Sequence, residues 1–127
     1  MIVADASAIV SGLLRRGPAR ANITSEALHV PHLIDTEVVD AIRKLVLRDH
    51  LEAADAERAL AVWQRFGVRR HPTVRLIDRI WELRHNVSAY DAAYIALAET
   101  LQCNLLTSDH RLASATGPRC AIEVVPR

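Results

Sequence analysis

Four acidic residues each stand where a strand is predicted to end or a helix to begin: Asp5, Glu37, Asp91 and Asp109. If they converge they repel one another, since two unit charges 4 Å apart cost about 4 kcal/mol at an effective dielectric near 20. Such a cluster either keeps protons near neutral pH or is neutralised by a divalent cation. All-oxygen ligation selects Mg²⁺ or Mn²⁺, and Mg²⁺ binds through one or two carboxylates together with water and substrate phosphates.

Each acid also has a purely structural interpretation. Ser88 and Asp91 have the spacing of a capping box, in which two side chains satisfy the free N–H groups of a helix start. Asp5 and Asp109 each precede a predicted helix and have the residue type of an N-cap. Glu37 is an acid in a first helical turn, where it suits the helix dipole. Taken one at a time, these interpretations are favoured.

Short apolar strands alternate with helices along the chain. Strands are predicted at 2–4, 28–30, 68–71, 104–107 and 121–125, and helices at 6–16, 18–27, 33–48, 53–66, 73–85, 88–100 and 110–115. This alternation predicts the α/β class, with a mostly parallel sheet covered on both faces. Ligands bind such sheets outside the carboxyl ends of the strands, where Asp5 and Asp109 are expected.

Length and composition indicate one folded domain. The chain has 127 residues, of which 50% are hydrophobic and 24% charged, a profile typical of globular proteins. The net charge of +1 permits a nucleic-acid ligand without arguing for one. The start of the chain lacks a basic stretch followed by an apolar one, and no apolar run approaches about 18 residues, so we expect a cytoplasmic protein that does not enter membranes.

A zinc site is not expected from the cysteines and histidines. Cys103 and Cys120 lack the C-x-x-C spacing, and the six histidines form no H-E-x-x-H pattern. Both cysteines are predicted to be small buried residues in a reducing compartment. Trp63, Phe66 and Trp81 are predicted to be core residues, with a role as interface anchors as the alternative.

Taken together, the four acids and their surroundings resemble the PIN-domain nucleases, and the length and layout of the chain resemble the VapC toxins of bacterial toxin–antitoxin pairs. The matching stretches are V-A-D-A-S, L-I-D-T-E-V-V, S-A-Y-D-A-A-Y-I-A-L-A and L-L-T-S-D-H-R-L. They contain the family pattern in order: Asp5 with Ser7 two positions on, Glu37, Asp91, and Thr107 with Asp109 in a T-x-D turn. One position departs from the pattern, because Asp40 stands where many relatives have Asn; it is either a fifth acid or part of the outer rim.

The resemblance implies a single PIN domain over residues 1–127, with a three-layer α/β/α sandwich and a short central sheet. It implies an Mg²⁺-dependent endoribonuclease, with Mn²⁺ as a substitute, that hydrolyses single-stranded or looped RNA and leaves a 5′-phosphate. Asp5 and Asp91 are the expected metal ligands, and Glu37 and Asp109 act directly or through water. Ser7 and Thr107 are supporting hydroxyls. The expected partners are RNA, a second copy of the chain and a VapB-type antitoxin that neutralises the toxin.

Functions of other classes fit less well. A phosphatase of the haloacid dehalogenase type needs a second Asp where Ser7 stands, and Lys44 is the only lysine. A receiver-like domain needs an acidic pair at the second strand, which is absent. The remaining alternative is a catalytically inactive PIN-fold module that binds nucleic acid or protein, and metal-dependent cleavage distinguishes the two.

Overall fold

A five-stranded parallel sheet forms the centre of the molecule, whose computed structural model describes all 127 residues. The strands are β1 (Ile2–Ala4), β2 (Leu28–Pro31), β3 (Val68–His71), β4 (Asn104–Thr107) and β5 (Ile122–Val124). Their order in the sheet is β3-β2-β1-β4-β5, and every neighbouring pair is parallel. The carboxyl ends of β1 and β4 therefore lie side by side at one edge of the sheet.

The helices form two groups. They are α1 (Ala6–Leu14), α2 (Pro18–Ser25), α3 (Ile34–Leu47), α4 (Ala53–Arg65), α5 (Ile77–Glu82), α6 (Ala89–Leu101) and α7 (His110–Ala113). Helix α1 packs against α2, α3 and α4, whereas α6 packs against α5 and the central strands. The predicted α/β class with a parallel sheet is confirmed. No helix combines the length and the apolar composition needed to cross a membrane.

An aliphatic core holds the site-bearing elements in place. All three residues of β1 are buried, as expected for a central parallel strand covered on both faces. Residues 92–98 of α6 are also buried. Four of them are alanines, whose side chains occupy little volume in the interior: Ala92, Ala93, Ala96 and Ala98. Because α6 is anchored along most of its length, the acid in its first turn is held on a rigid element.

The segment predicted as one helix over 73–85 is different in the structure. A 3₁₀ turn at Val74–Leu76 precedes α5, which ends at Glu82. Leu76 and Leu83 are buried, whereas Trp81 is 66% exposed. The tight turn has three residues per turn instead of 3.6, so it rotates the apolar face away from the predicted direction.

The predicted burial of several side chains is also corrected. Trp63 lies in the core and Phe66 packs against it, as predicted, but Trp81 does not belong to the core. Cys103 and Cys120 are free thiols, and both are only half-buried, because they lie just before β4 and β5 rather than within them.

Candidate active site

Asp5 lies where β1 ends and α1 begins. Its Oδ1 accepts hydrogen bonds from the Ala8 backbone N–H (3.0 Å) and the Ser7 hydroxyl (2.6 Å), and its Oδ2 accepts one from the Thr107 hydroxyl. The side chain is only 6% exposed. Asp5 is therefore the N-cap of α1. The hydrogen bond from Thr107 also fixes Asp5 to β4, and helix capping does not require that bond.

The same hydroxyls join the ends of β1 and β4. The Ser108 backbone N–H donates to the Ser7 hydroxyl (2.8 Å), and the Asp109 backbone N–H donates to the Thr107 hydroxyl (3.0 Å). Each hydroxyl thus accepts one bond from the turn after β4 and donates one to Asp5. The predicted supporting hydroxyls, Ser7 and Thr107, set the position of Asp5 relative to Asp109.

Asp109 has a structural role and a cationic neighbour. Its Oδ1 accepts from the Arg111 backbone N–H (2.9 Å), which caps α7, and from the Arg111 guanidinium (3.3 Å). Burial raises the pKa of the Asp109 carboxyl, but the bonds from Arg111 outweigh it and hold the pKa below its ordinary value. Asp109 is the one acid of the four whose charge is compensated within the protein.

Asp91 stands in the first turn of α6. The Ser88 hydroxyl accepts from the Asp91 backbone N–H (3.1 Å), but the Asp91 carboxylate accepts no bond from the Ser88 backbone N–H. The capping box is therefore only half formed, and the carboxylate is not needed to cap the helix. Burial, followed by repulsion from Asp5 and Asp109, raises the pKa of Asp91.

Glu37 reaches the site from the first turn of α3. Its Oε1 accepts a hydrogen bond from the Tyr94 hydroxyl at 2.5 Å. Burial raises the pKa of Glu37, and repulsion from Asp91 and Asp5 raises it further. The Tyr94 hydrogen bond lowers this pKa but does not cancel the rise. Tyr94 is 1% exposed, and its own pKa is far above the ordinary value, first because of burial and then because of Glu37. It stays protonated and acts as a donor.

The structure thus brings all four predicted acids into electrostatic contact at the carboxyl edge of the sheet. Burial is the main cause that raises the pKa of Asp5, and repulsion from Asp109 contributes. Asp40 does not belong to this group: its carboxylate pairs with Lys44 (3.0 Å) and is 48% exposed. Asp40 lies on the rim.

Sequence reasoning missed two residues that shape the site. Tyr94 follows Asp91 by three positions, so both lie on one face of α6, and this spacing was the available signal. Arg111 follows Asp109 by two positions. That spacing does not show whether the arginine pairs with the acid or extends into solvent.

The residues present fit a divalent cation. Three buried or half-buried carboxyls, Asp5, Glu37 and Asp91, have raised pKa values and form no ion pair, and the buried Ser108 hydroxyl has no hydrogen-bond partner. No three acid, histidine or cysteine side chains converge enough to hold an ion by themselves. Mg²⁺ keeps several waters and binds through one or two carboxylates plus substrate phosphate, so this donor set suits an ion that is shared with water and a phosphodiester.

Comparison with known proteins finds matches over nearly the whole chain. The family model "PIN domain" matches residues 2–118. Ribonuclease VapC9 of Mycobacterium tuberculosis is 54% identical over 127 residues, which is the whole of both chains. The crystal structure of PAE2754 from Pyrobaculum aerophilum superposes with a TM-score of 0.71 at 26% identity, over 97% of this chain and 83% of that one.

A second solved structure shows the same fold at lower identity. VapBC2 from Rickettsia felis, bound to a DNA fragment from its promoter, matches with a TM-score of 0.70 at 11% identity, over 98% of this chain and 99% of that one. The predicted PIN-like sandwich is confirmed by these likenesses. The chain belongs to the PIN-domain family, among the VapC ribonucleases.

Proposed function

We propose that this protein is a metal-dependent endoribonuclease that hydrolyses phosphodiester bonds in RNA, and that it is a toxin neutralised by a VapB-type antitoxin. The observation that carries the proposal is the group formed by Asp5, Glu37 and Asp91, three carboxyls with raised pKa values that lie close together and form no ion pair. The identity of 54% to a protein named as a ribonuclease supports it. We propose that residues 1–127 form a single PIN domain and that the protein is cytoplasmic.

Asp5 and Asp91 hold the ion, Mg²⁺ or in its place Mn²⁺, and Glu37 and Asp109 contribute directly or through water. When bound, the ion supplies the Lewis-acid chemistry that activates water and offsets the charge developing on phosphorus. The Oδ1 of Asp5 already accepts two bonds, but Oδ2 accepts only the one from Thr107. Oδ2 therefore keeps a lone pair for a ligand.

The surrounding residues keep the acids in place. Ser7 and Thr107 lock the rotation of the Asp5 carboxylate, so it does not reorient when substrate arrives. Tyr94 fixes Glu37, whose raised pKa makes its carboxylate a stronger base than a free glutamate. Glu37 is thus suited to accept a proton from the attacking water, and Arg111 orients Asp109.

The decisive experiment is cleavage of a small-RNA pool by the purified protein with Mg²⁺, with Mn²⁺ and with excess EDTA. Asp5→Ala removes a proposed ligand, and Asp40→Asn is the matched control because it neutralises an acid on the rim. We expect metal-dependent fragments from the wild type and from Asp40→Asn, and none from Asp5→Ala. Absence of cleavage by folded, antitoxin-free protein would instead support the inactive binding module.

A homodimer is part of the proposal, and an exposed apolar patch supports it. Trp81 and Tyr90 are 66% and 63% exposed, and with Ile77 they line a cleft of about 300 Å³. Exposed apolar patches of this kind are typical of protein interfaces. We expect Trp81→Ala to shift the protein from dimer to monomer in light scattering at two concentrations. A wild-type protein that stays monomeric at both would refute this part.

A further inference from the structure

A basic groove runs between α1 and α3 and opens at the active site. It encloses about 300 Å³, and Ser7, which bonds to Asp5, lies at one end. Four cationic side chains line it: Arg15, Lys44, Arg48 and Arg127. No acidic residue lines the groove, although the chain as a whole carries a net charge of only +1. Positive charge is therefore concentrated beside the acids.

Two of the four cationic side chains make no polar contact within the protein. The guanidinium groups of Arg48 and Arg127 make no hydrogen bond or ion pair, and Arg15 donates one hydrogen bond, to the C-terminal backbone oxygen of Arg127 at 3.1 Å. Lys44 pairs with Asp40. Arg127 is also close enough to the site to help lower the pKa of Asp109. The free cations are thus available to an anionic ligand that reaches the acids.

The spacing along both walls suits an extended polyanion. Ser7 and Ser11 are four residues apart on α1, about 6 Å along the helix axis, and Arg15 is the C-cap of that helix. Lys44 lies in the last turn of α3, and Arg48 is its C-cap. Hydroxyl and cationic donors therefore follow one another along both walls of the groove. Apolar side chains, among them Val10 and Leu45, form the floor.

We propose that this groove binds the sugar–phosphate backbone of the RNA strand that continues from the scissile phosphodiester, with Arg15 and Arg48 as the main phosphate contacts. The inference rests on the proposed nuclease function, because it assumes that RNA enters at Asp5. The groove holds the strand mainly by charge, so it contributes to affinity and to the direction of the strand. An acidic peptide in the groove is the competing occupant.

Binding of a fluorescent single-stranded RNA to the Asp91→Asn background, measured from 50 to 300 mM salt, tests the groove without cleavage. The double variant Arg15→Ala/Arg48→Ala should weaken binding at 50 mM salt on the order of tenfold or more, and flatten the log–log salt slope by about 1.4, since each phosphate contact contributes about 0.7 for a single strand. Arg15→Lys/Arg48→Lys should keep most of the slope. Arg65→Ala/Arg75→Ala, which removes two charges outside the groove, should change little.

Cleavage assays in the wild-type background separate this inference from the nuclease itself. The groove variant should raise KM for an RNA oligonucleotide but leave hydrolysis of bis(p-nitrophenyl) phosphate unchanged, because that small diester does not extend along the groove. If the wild type cleaves nothing while the groove variant still loses RNA affinity, the nuclease fails and the groove stands. If RNA affinity is unchanged, or a poly-glutamate peptide depends on the groove and RNA does not, the groove inference is overturned.

Discussion

Two acids in the first turn of α3, Asp35 and Glu37, have opposite environments. Asp35 accepts two bonds from the Arg70 guanidinium and one from the Trp63 indole, each at 2.8 Å. The Arg70 hydrogen bond is the main cause that lowers the pKa of Asp35. Glu37 has a neutral donor, Tyr94, and its pKa is raised by burial.

The difference shows how a structural acid is distinguished from a functional one. Asp35 joins α3 to α4 and β3 through a network in which charge and hydrogen bonds are satisfied. Glu37 faces Asp91 and Asp5, so its negative charge is opposed by its surroundings until a cation or a proton arrives. A strained arrangement of like charges of this kind is typical of functional sites.

The largest effect should come from removing a charge at the repelling group. Asp91→Asn should lower kcat/KM for RNA on the order of 100-fold or more, because it removes a proposed metal ligand. The fold should be retained, since the Asp91 carboxylate is not the acceptor that caps α6. Asp35→Asn is the matched control, and its cleavage should remain within a few-fold of wild type. Turnover by Asp91→Asn equal to that of the wild type would remove Asp91 from the site.

Tyr94→Phe tests whether the neutral donor to Glu37 matters. It deletes one hydroxyl and keeps the aromatic ring in the core, so we expect kcat to fall about tenfold with little change in KM. The Tyr94 bond lowers the pKa of Glu37, and its loss should move the acidic limb of the pH–rate profile to higher pH. A lower rate with an unmoved profile would show that Tyr94 serves packing alone.

The sequence was sufficient to predict where the four acids lie, but not their hydrogen-bond partners. Alternating strands and helices placed Asp5 and Asp109 at one sheet edge and Glu37 and Asp91 in the first turns of nearby helices, and the family resemblance joined the four into one set. The partners could not be predicted, because a contact such as Tyr94 to Glu37 joins residues on different helices. The exposure of Trp81 was missed because a helical period was assumed through a segment that begins with a 3₁₀ turn.

Deleting the satisfied acid should cost stability rather than activity. Asp35→Ala leaves the Trp63 indole N–H without its acceptor and Arg70 without its partner. We expect the free energy of unfolding to fall by about 1–2 kcal/mol, a value discounted because the Asp35 side chain is 45% exposed to screening solvent. Urea unfolding measures this. An unchanged midpoint would mean that the network contributes nothing.

The two acids should also respond oppositely to pH. The raised pKa of Glu37 means that its stabilising contribution is full below the ordinary value of 4.5 and is lost as pH rises through the raised pKa. The lowered pKa of Asp35 means that its contribution is present above 3.8 and is lost as pH falls through the folded-state pKa. Without divalent ions, Glu37→Gln should therefore raise Tm at pH 7 and Asp35→Asn should lower it.

Thermal scans from pH 3 to 8 measure these differences, at about 4 °C per kcal/mol for a chain of this length. The Glu37→Gln difference should shrink towards pH 3, because the raised pKa of Glu37 keeps that carboxyl protonated there. The Asp35→Asn difference should shrink as the pH falls below 3.8 towards the lowered pKa of Asp35. Added Mg²⁺ should stabilise wild type more than Glu37→Gln, because a bound cation removes the repulsion. If both variants shift Tm in the same direction at pH 7, the contrast between the two acids is wrong.

The smallest effect should follow from Asp40→Asn, at the position where the family pattern often has Asn. The Asp40 hydrogen bond with Lys44 is the main cause that lowers its pKa, so its charge is already compensated on the surface. Its repulsion of Glu37 is the weakest of the causes that raise the pKa of Glu37. Cleavage should therefore stay within roughly a factor of two, as for other exposed ion pairs. If Asp40→Asn instead lost more cleavage activity than this, and added Mg²⁺ restored that activity, Asp40 would be a fifth acid of the site that helps to bind the cation.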